Sequence, residues 1–196
     1  MKKILLMVAA LMMCVAALYA QGEKRYGIKS GHIKYETQTG GGVQQNEMWF
    51  DDYGRLQKQI DRTDMGEFGM FYTETIIRDG KLYTNAWYNN EKKDEAKMTD
   101  GVPGFNYLTL TDQIKKDHKI EESGPETVSG KQCTVYSFTM KQLGRKVSFK
   151  QWVWKGIIIK QETKGILGAN TTMTIKSFEE NVSVPTSTFA LSKTIK

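Results

Sequence analysis

Short runs of alternating apolar and polar residues, separated by glycine-containing turns, make up most of the chain. The runs are rich in aromatic and β-branched residues, as at positions 70–78 and 146–154. This pattern predicts β-strands joined by hairpins. The Asp79-Gly80 pair between two such runs is a strong local hairpin signal. About ten strands with mostly hairpin connections predict a mainly β (α+β) protein, built on a single antiparallel sheet that is strongly curved or nearly closed.

Residues 89–120 interrupt this pattern. Their first part, residues 89–99, is polar and charged, and Val102-Pro103-Gly104 then breaks the chain. Apolar residues in the stretch 105–116 have weakly helical spacing. We therefore expect an excursion of loop and one or two short helices out of the sheet.

Several predicted strands carry apolar side chains on both faces. Within residues 146–154, Phe149 and Val153 face one way, whereas Trp152 and Trp154 face the other. An antiparallel sheet with one solvated face would show polar residues there. Each face must therefore contact something apolar, which leaves a packed helix, a second sheet or a ligand cavity as alternatives.

The beginning of the chain has the plan of a secretory signal peptide. Lys2 and Lys3 are followed by an uncharged, mostly apolar run, and Ala20 suits cleavage by a signal peptidase. We predict a signal peptide over residues 1–20 and a single β-rich domain over residues 21–196. The expected location is periplasmic or secreted, with no transmembrane segment in the mature chain.

Two alternatives for this leader remain. The uncharged stretch is just long enough to serve as an uncleaved membrane anchor. Cys14 is a candidate for lipidation, although Met13 stands where an anchoring signal has a small residue. Cleavage after Ala20 is the interpretation that best fits the length and flanks of the run.

The net charge and the motifs that the sequence lacks argue against several classes of function. The formal net charge is +6 and is spread along the chain, which is not typical of a nucleic-acid binder. The sequence has no hydrolase elbow, no phosphate-binding glycine loop and no zinc spacing. Cys133, the single cysteine after the leader, has the context of a buried small hydrophobe. We therefore expect no catalytic activity, no cofactor and no metal.

The C-terminal half carries two short motifs in a recognisable order. Residues 152–160 read WVWKGIIIK, and residues 184–191 read VPTSTFAL. This order resembles the LolA/LolB-like superfamily of periplasmic lipoprotein carriers and receptors, and in particular uncharacterised secreted members of the Bacteroidetes type. The resemblance covers most of residues 28–196. It implies a half-barrel in which the sheet wraps over a short helical plug supplied by residues 89–120.

The resemblance also implies an apolar ligand, such as a lipid or a lipoprotein acyl chain, held between sheet and plug. We therefore predict a non-catalytic periplasmic binding or carrier protein, monomeric and without nucleic-acid partners. The alternative is an envelope interaction module that binds a protein or a glycan through an aromatic sheet face. Core packing is the competing interpretation of each aromatic residue. The candidate cavity lining is Phe71, Trp87, Leu108, Trp152, Trp154 and Ile158.

Overall fold

A computed structural model describes residues 16–17, 23–39, 42–142, 144–166 and 169–196. Most of the predicted signal peptide, including the cleavage position at Ala20, lies outside the described residues. No helix among the residues described is long and apolar enough to cross a membrane.

Twelve strands form one large sheet, in the order β14-β7-β6-β5-β4-β3-β2-β13-β12-β11-β10-β9. All neighbours are antiparallel except β14 and β7, which are parallel. The strands of this sheet are β2 (Gly31–Thr39), β3 (Gly42–Asp51), β4 (Leu56–Asp64), β5 (Met70–Arg78), β6 (Lys81–Tyr88), β7 (Glu95–Asp100), β9 (Glu121–Val128), β10 (Lys131–Gln142), β11 (Arg145–Trp154), β12 (Ile157–Ile166), β13 (Ala169–Glu180) and β14 (Thr194–Ile195).

The remaining elements are short. Strand β1 (Ala16–Ala17) pairs with β8 (Val102–Pro103) in a separate two-stranded sheet. The helix α1 (Asp112–His118) follows β8, and short 3-10 helices cover Asp52–Gly54, Gly66–Phe68 and Thr186–Phe189.

The large sheet consists of two meanders that meet where β2 pairs with β13. Strands β2 to β7 form one meander, and strands β9 to β13 form the other. The order ends at β14 on one side and at β9 on the other, so the sheet is curved but not closed. The prediction of a single curved antiparallel sheet forming a half-barrel is confirmed.

Hairpin turns have the backbone geometry that the sequence predicts. Asp79 and Gly80 both have positive φ, at 54° and 71°, and they join Arg78 to its partner Lys81. Two positive φ angles in a two-residue loop define a type I′ turn, whose twist matches that of the flanking strands. The hairpin between β5 and β6 therefore follows directly from the Asp-Gly pair.

The excursion is shorter than predicted. Residues 95–100, expected to lie in it, instead form strand β7 beside β6. A strand near the edge of a sheet tolerates polar and charged side chains because water reaches it, and this is the composition of β7. We refer to residues 102–120, which contain β8 and α1, as the plug.

The plug packs on the sheet through its aromatic and aliphatic side chains. Phe105 meets the ring of Phe138 edge to face, with centroids 5.2 Å apart. Helix α1 is capped by Thr111, whose hydroxyl oxygen accepts a hydrogen bond from the Ile114 amide at 3.2 Å. Ile114 and Ile120 join the same apolar cluster. Burying an aromatic or aliphatic side chain contributes about 1.5–3 kcal/mol, so a few such contacts hold this short segment in place.

Candidate ligand cavity

A cavity of about 260 Å³ lies between the plug and one face of the sheet. Alternate side chains from both meanders line it, on β2 to β6 and on β10 to β13. Because successive side chains of a strand point to opposite faces, these residues define one side of the sheet. We call this side the inner face and the opposite side the outer face. The volume is near the lower end of the range of about 300–1,000 Å³ that is usual for ligand pockets.

The end of the cavity near the plug is apolar. Phe138 and Phe149 stack there with centroids 5.2 Å apart and an interplanar angle of 16°. Met140 and Ile158 line the cavity beside them, and Phe105 contributes from the plug. Aromatic and aliphatic surfaces of this kind suit the apolar part of a ligand.

The rest of the lining is dominated by amide and hydroxyl side chains. Inner positions of a sheet are normally apolar, so this composition distinguishes the site from an ordinary core. We call these residues the polar wall: Thr37, Gln44, Asn46, Gln57, Gln59, Asp61, Thr63, Thr73, Thr75, Thr84, Gln151, Gln161 and Thr171.

Hydrogen bonds order the polar wall across β2, β3 and β4. The Thr37 hydroxyl donates to Asn46 Oδ1 at 3.0 Å, and Asn46 Nδ2 in turn donates to Asp61 Oδ1. Gln59 Nε2 donates to the same Asp61 oxygen at 2.8 Å. Burial raises the pKa of Asp61 above its ordinary value, although the two amide donors and the charge of Arg62 act in the opposite direction.

A second group of hydrogen bonds connects the plug to the sheet. The Tyr107 hydroxyl donates to Gln151 Oε1, and Gln151 Nε2 donates to Gln161 Oε1. Gln161 Nε2 continues to the hydroxyl of Thr163 at 3.1 Å. The plug is therefore fixed by a directional contact next to the cavity as well as by its apolar packing.

Residues 25–26 close the cavity at another side. The Tyr26 hydroxyl donates to Gln57 Oε1 at 2.7 Å, and Arg25 Nη2 donates to the Pro103 carbonyl at 3.1 Å. Gly156 permits this approach, since a Cβ atom there would lie 2.2 Å from the Arg25 carbonyl oxygen. Arg25 thus brings a positive charge to the margin of the lining.

Three of the residues that the sequence analysis proposed as cavity lining lie either on the inner face or on the plug. Ile158 lines the cavity. Phe71 has the same face parity as Thr73 but packs against Tyr88, with centroids 4.9 Å apart, and does not line the cavity. Leu108 lies on the plug and is 43% exposed.

None of the three tryptophan candidates lines the cavity. Trp152 follows Gln151, which points into the cavity, so alternation directs the indole outward. Trp152 Nε1 donates to Glu126 Oε2 at 2.6 Å. Lys131 Nζ lies 3.8 Å from the ring centroid of Trp154, and Trp87 stacks on Tyr72 with centroids 5.3 Å apart. The structure therefore does not bring these indoles together with Ile158.

Sequence reasoning missed the polar wall. Its residues are Gln, Asn, Thr and Asp, which are common on any solvated strand face. The usable signal was the succession Gln57, Gln59, Asp61 and Thr63 on a single face of β4. Only the structure shows that this face is the inner one.

No family model matches the sequence, and no curated protein matches it. Solved structures do match. One is a chain of the Pseudomonas aeruginosa MucA/MucB complex, at 12% identity and a TM-score of 0.49, covering 82% of this chain. The alignment spans about half of that chain, 55%.

Two further structures match over most of both chains. A DUF1329 family protein from Desulfovibrio piger ATCC 29098 has 12% identity and a TM-score of 0.40, with 84% of this chain and 90% of that chain covered. A LolA superfamily protein from Nitrosomonas europaea has 10% identity and a TM-score of 0.34, with 86% and 93% covered.

The family that the sequence motifs resemble is thus represented among the matched structures. The strand order of the chain itself gives an open, curved antiparallel sheet, and the described residues contain one α-helix. At these identities the likeness concerns the fold alone.

Proposed function

We propose that the protein is a non-catalytic binding or carrier protein of the bacterial envelope. Its ligand would carry an apolar segment, such as a lipid or acyl chain, held between the inner face and the plug. The observation that carries this proposal is the cavity itself, which has an aromatic end at Phe138 and Phe149. The envelope location is supported by the leader-like residues 1–20.

The plug is suited to admit a ligand. It contains one helix of seven residues and touches the sheet mainly through Phe105, Tyr107 and a few aliphatic side chains. Segments with few buried contacts open at lower free energy than the sheet that supports them. Displacement of the plug would expose the apolar end of the cavity while leaving the sheet intact.

The chemistry of the potential nucleophile favours binding over catalysis. Cys133 is buried, and burial raises the pKa of its thiol, which keeps it protonated. Across the part of the chain that the structure describes, no group of three or more His, Cys, Asp or Glu side chains could hold a metal ion.

The test is native mass spectrometry of the protein expressed with its own leader and purified from the envelope fraction. We expect an adduct that organic extraction identifies as a molecule with an apolar segment. Ile158→Asp, which puts a charge in the cavity, should abolish the adduct. Leu108→Asp is the matched control, because Leu108 is exposed and does not line the cavity.

A second variant, which fills the cavity with apolar volume, keeps the test valid if Ile158→Asp does not fold. Met140→Trp adds apolar volume inside the cavity and should also exclude the adduct. A protein that shows only its own mass, before and after incubation with lipids and lipopeptides, would refute the proposal.

The partly exposed Trp154 favours a second candidate function. Trp154 is half-buried between Phe178 and the ammonium groups of Lys131 and Lys155, so part of its ring remains accessible. An envelope interaction module would use this surface to bind a glycan or a protein. Titration with envelope polysaccharide should then quench tryptophan fluorescence, and Trp154→Ala should remove the response. Unchanged tryptophan fluorescence of the native protein during this titration would exclude glycan binding as the function of this surface.

A further inference from the structure

The cavity lining contains few charges. Among the described residues that line it, Asp61 is the only carboxylate, and Arg25 at the margin is the only cation. Every other polar side chain of the wall is a neutral amide or hydroxyl. A ligand inside therefore meets one acidic group within a large uncharged hydrogen-bonding surface.

Some polar atoms of this surface can still form hydrogen bonds with a ligand. Asn46 and Gln59 both donate to Asp61 Oδ1, which leaves that carboxyl group with a second oxygen. Within the described residues, no side-chain hydrogen bond involves Thr73, Thr75 or Thr84, which line the cavity; Thr73 lies opposite Asp61 and Thr75 opposite Gln59. Buried or enclosed polar groups find partners in folded proteins, so water or a ligand must satisfy these hydroxyls.

The charge pattern argues against an ionic head group at this wall. An anion would face the carboxyl group of Asp61, and the one cation among the described lining residues, Arg25, lies at the margin and donates to the Pro103 carbonyl. For a cation, the environment of Asp61 matters: burial raises the pKa of its carboxyl group, and the Asn46 and Gln59 amides already donate to one of its oxygens. Desolvating a second charge beside it would add a further cost.

Hydroxyl groups fit the wall best. Each hydroxyl both donates and accepts a hydrogen bond, and the wall presents amide N–H donors, amide oxygens, hydroxyls and one carboxyl group side by side. Sites that hydrogen-bond a ligand hydroxyl discriminate strongly against analogues that lack it.

We propose that the polar wall binds an uncharged, polyhydroxylated head group, such as a sugar, on a ligand whose apolar segment lies against Phe138 and Phe149. This inference rests on the proposed function, since it assigns the ligand class of the same cavity. Asp61, Asn46 and Gln59 are the residues that would contact the head group, together with the hydroxyls of Thr73 and Thr75.

The test compares four probes: n-hexyl β-D-glucoside, glucose, hexanoate and hexylammonium. Binding to the full protein is followed by NMR, using the side-chain amide signals of Asn46, Gln59 and Gln151. We expect the glucoside to bind at least about tenfold more tightly than hexanoate or hexylammonium, since several hydrogen bonds distinguish them. We also expect the glucoside to bind more tightly than glucose, because only the glucoside reaches the apolar end.

Substitutions locate the head group. Asp61→Asn should weaken glucoside binding about tenfold, because it replaces the second carboxyl oxygen, which would contact a hydroxyl, by an amide nitrogen that can only donate. Asp64→Asn is the matched control on the same strand, since Asp64 is exposed and accepts a hydrogen bond from the Gly66 amide. Thr75→Val, nearly equal in shape, should weaken the glucoside but not hexanoate, and it keeps the test valid if Asp61→Asn is unstable.

The outcomes separate the two proposals. Equal binding of hexanoate and the glucoside would overturn the inference while leaving a binding function in place. Tighter binding of hexylammonium would also overturn it and would identify a cation site at Asp61. Glucose binding as tightly as the glucoside would overturn the part of the inference that places an apolar segment against Phe138 and Phe149, and would identify a free sugar as the ligand. If no probe binds and extraction yields no adduct, both proposals fail.

Discussion

Glu74 provides the sharpest test of the electrostatics of the sheet. It lies on the outer face of β5, is 5% exposed, and is held by two lysines. Lys58 Nζ lies 2.8 Å from Glu74 Oε2, and Lys92 Nζ lies 2.9 Å from both carboxylate oxygens. We predict that Glu74→Gln destabilises the protein and that the loss depends on pH.

The magnitude follows from these contacts. Hydrogen bonds to charged groups contribute about 1.5–3 kcal/mol, and removing one partner of a buried ion pair costs about 3–5 kcal/mol. The Lys92 side chain is 43% exposed and can return to water, so we expect a loss below the range for a fully buried pair and within the range for charged hydrogen bonds. We expect a loss of about 2–3 kcal/mol at pH 7. For a domain of this size, each kcal/mol lowers Tm by about 2–4 °C.

The pH dependence has a defined sign. Burial raises the pKa of Glu74, but the hydrogen bonds and charges of Lys58 and Lys92 outweigh it, and the pKa is lowered from its ordinary value of 4.5. The unfolded chain therefore takes up this proton before the folded protein does. The stabilisation is fully present above the ordinary pKa and is lost as the pH falls through the lowered one.

Urea unfolding followed by tryptophan fluorescence at pH 7 and near pH 3 measures this difference. The difference in unfolding free energy between the native protein and Glu74→Gln should be full at pH 7 and smaller at the acidic pH. Glu95→Gln is the control, because Glu95 pairs with Lys196 at the surface and should have little effect. The same loss at both pH values, or a loss no larger than that of the control, would refute the reasoning.

Three further substitutions test other parts of the structure. Burial raises the pKa of Asp61, so the native protein loses stability as the pH rises through that pKa. Asp61→Asn has no such group to ionise, so its Tm relative to that of the native protein should rise between pH 4 and pH 8 in thermal melts. Gly156→Ala should lower Tm strongly, because φ is +81° at this position and the new Cβ atom would meet the Arg25 carbonyl oxygen. The expected strain is about 1–3 kcal/mol, so a Tm within about 2 °C of the native value would contradict this prediction. Thr111→Ala should cost α1 about 1 kcal/mol and speed hydrogen exchange at the Ile114 amide, and unchanged exchange would argue against the cap.

Much of the fold could be predicted because local signals and global topology agree. The Asp79-Gly80 turn, the glycine turns and the alternating runs each specify hairpins, and consecutive hairpins can only build a meander. The boundary of the plug was harder to place. Residues 95–100 are polar enough to resemble a loop, and their pairing with β6 depends on a non-local partner that composition does not reveal.

The site could be predicted much less well, because it depends on which face of each strand is inner. In β4 the apolar positions are Leu56 and Ile60, so alternation alone directs their face inward. The structure instead turns Gln57, Gln59 and Asp61 toward the cavity. From the sequence we expected Trp152 to line the cavity, but the structure places the neighbouring Gln151 there instead. A one-residue change of parity exchanges the two faces completely.

Two carboxyl groups on neighbouring strands, Glu74 and Asp61, show how the sheet separates charged from neutral contacts. On the outer face, Glu74 sits opposite Ile60 and is held by two lysines that favour its ionised form. On the inner face, the next residue pair is Asp61 and Thr73, and here amide donors replace cations. The sheet thus keeps its ion pairs outside and leaves an almost uncharged, hydrogen-bonding wall inside. A purely apolar ligand would leave that wall unsatisfied, and an ionic head would find little to balance it, whereas a hydroxylated head satisfies both conditions.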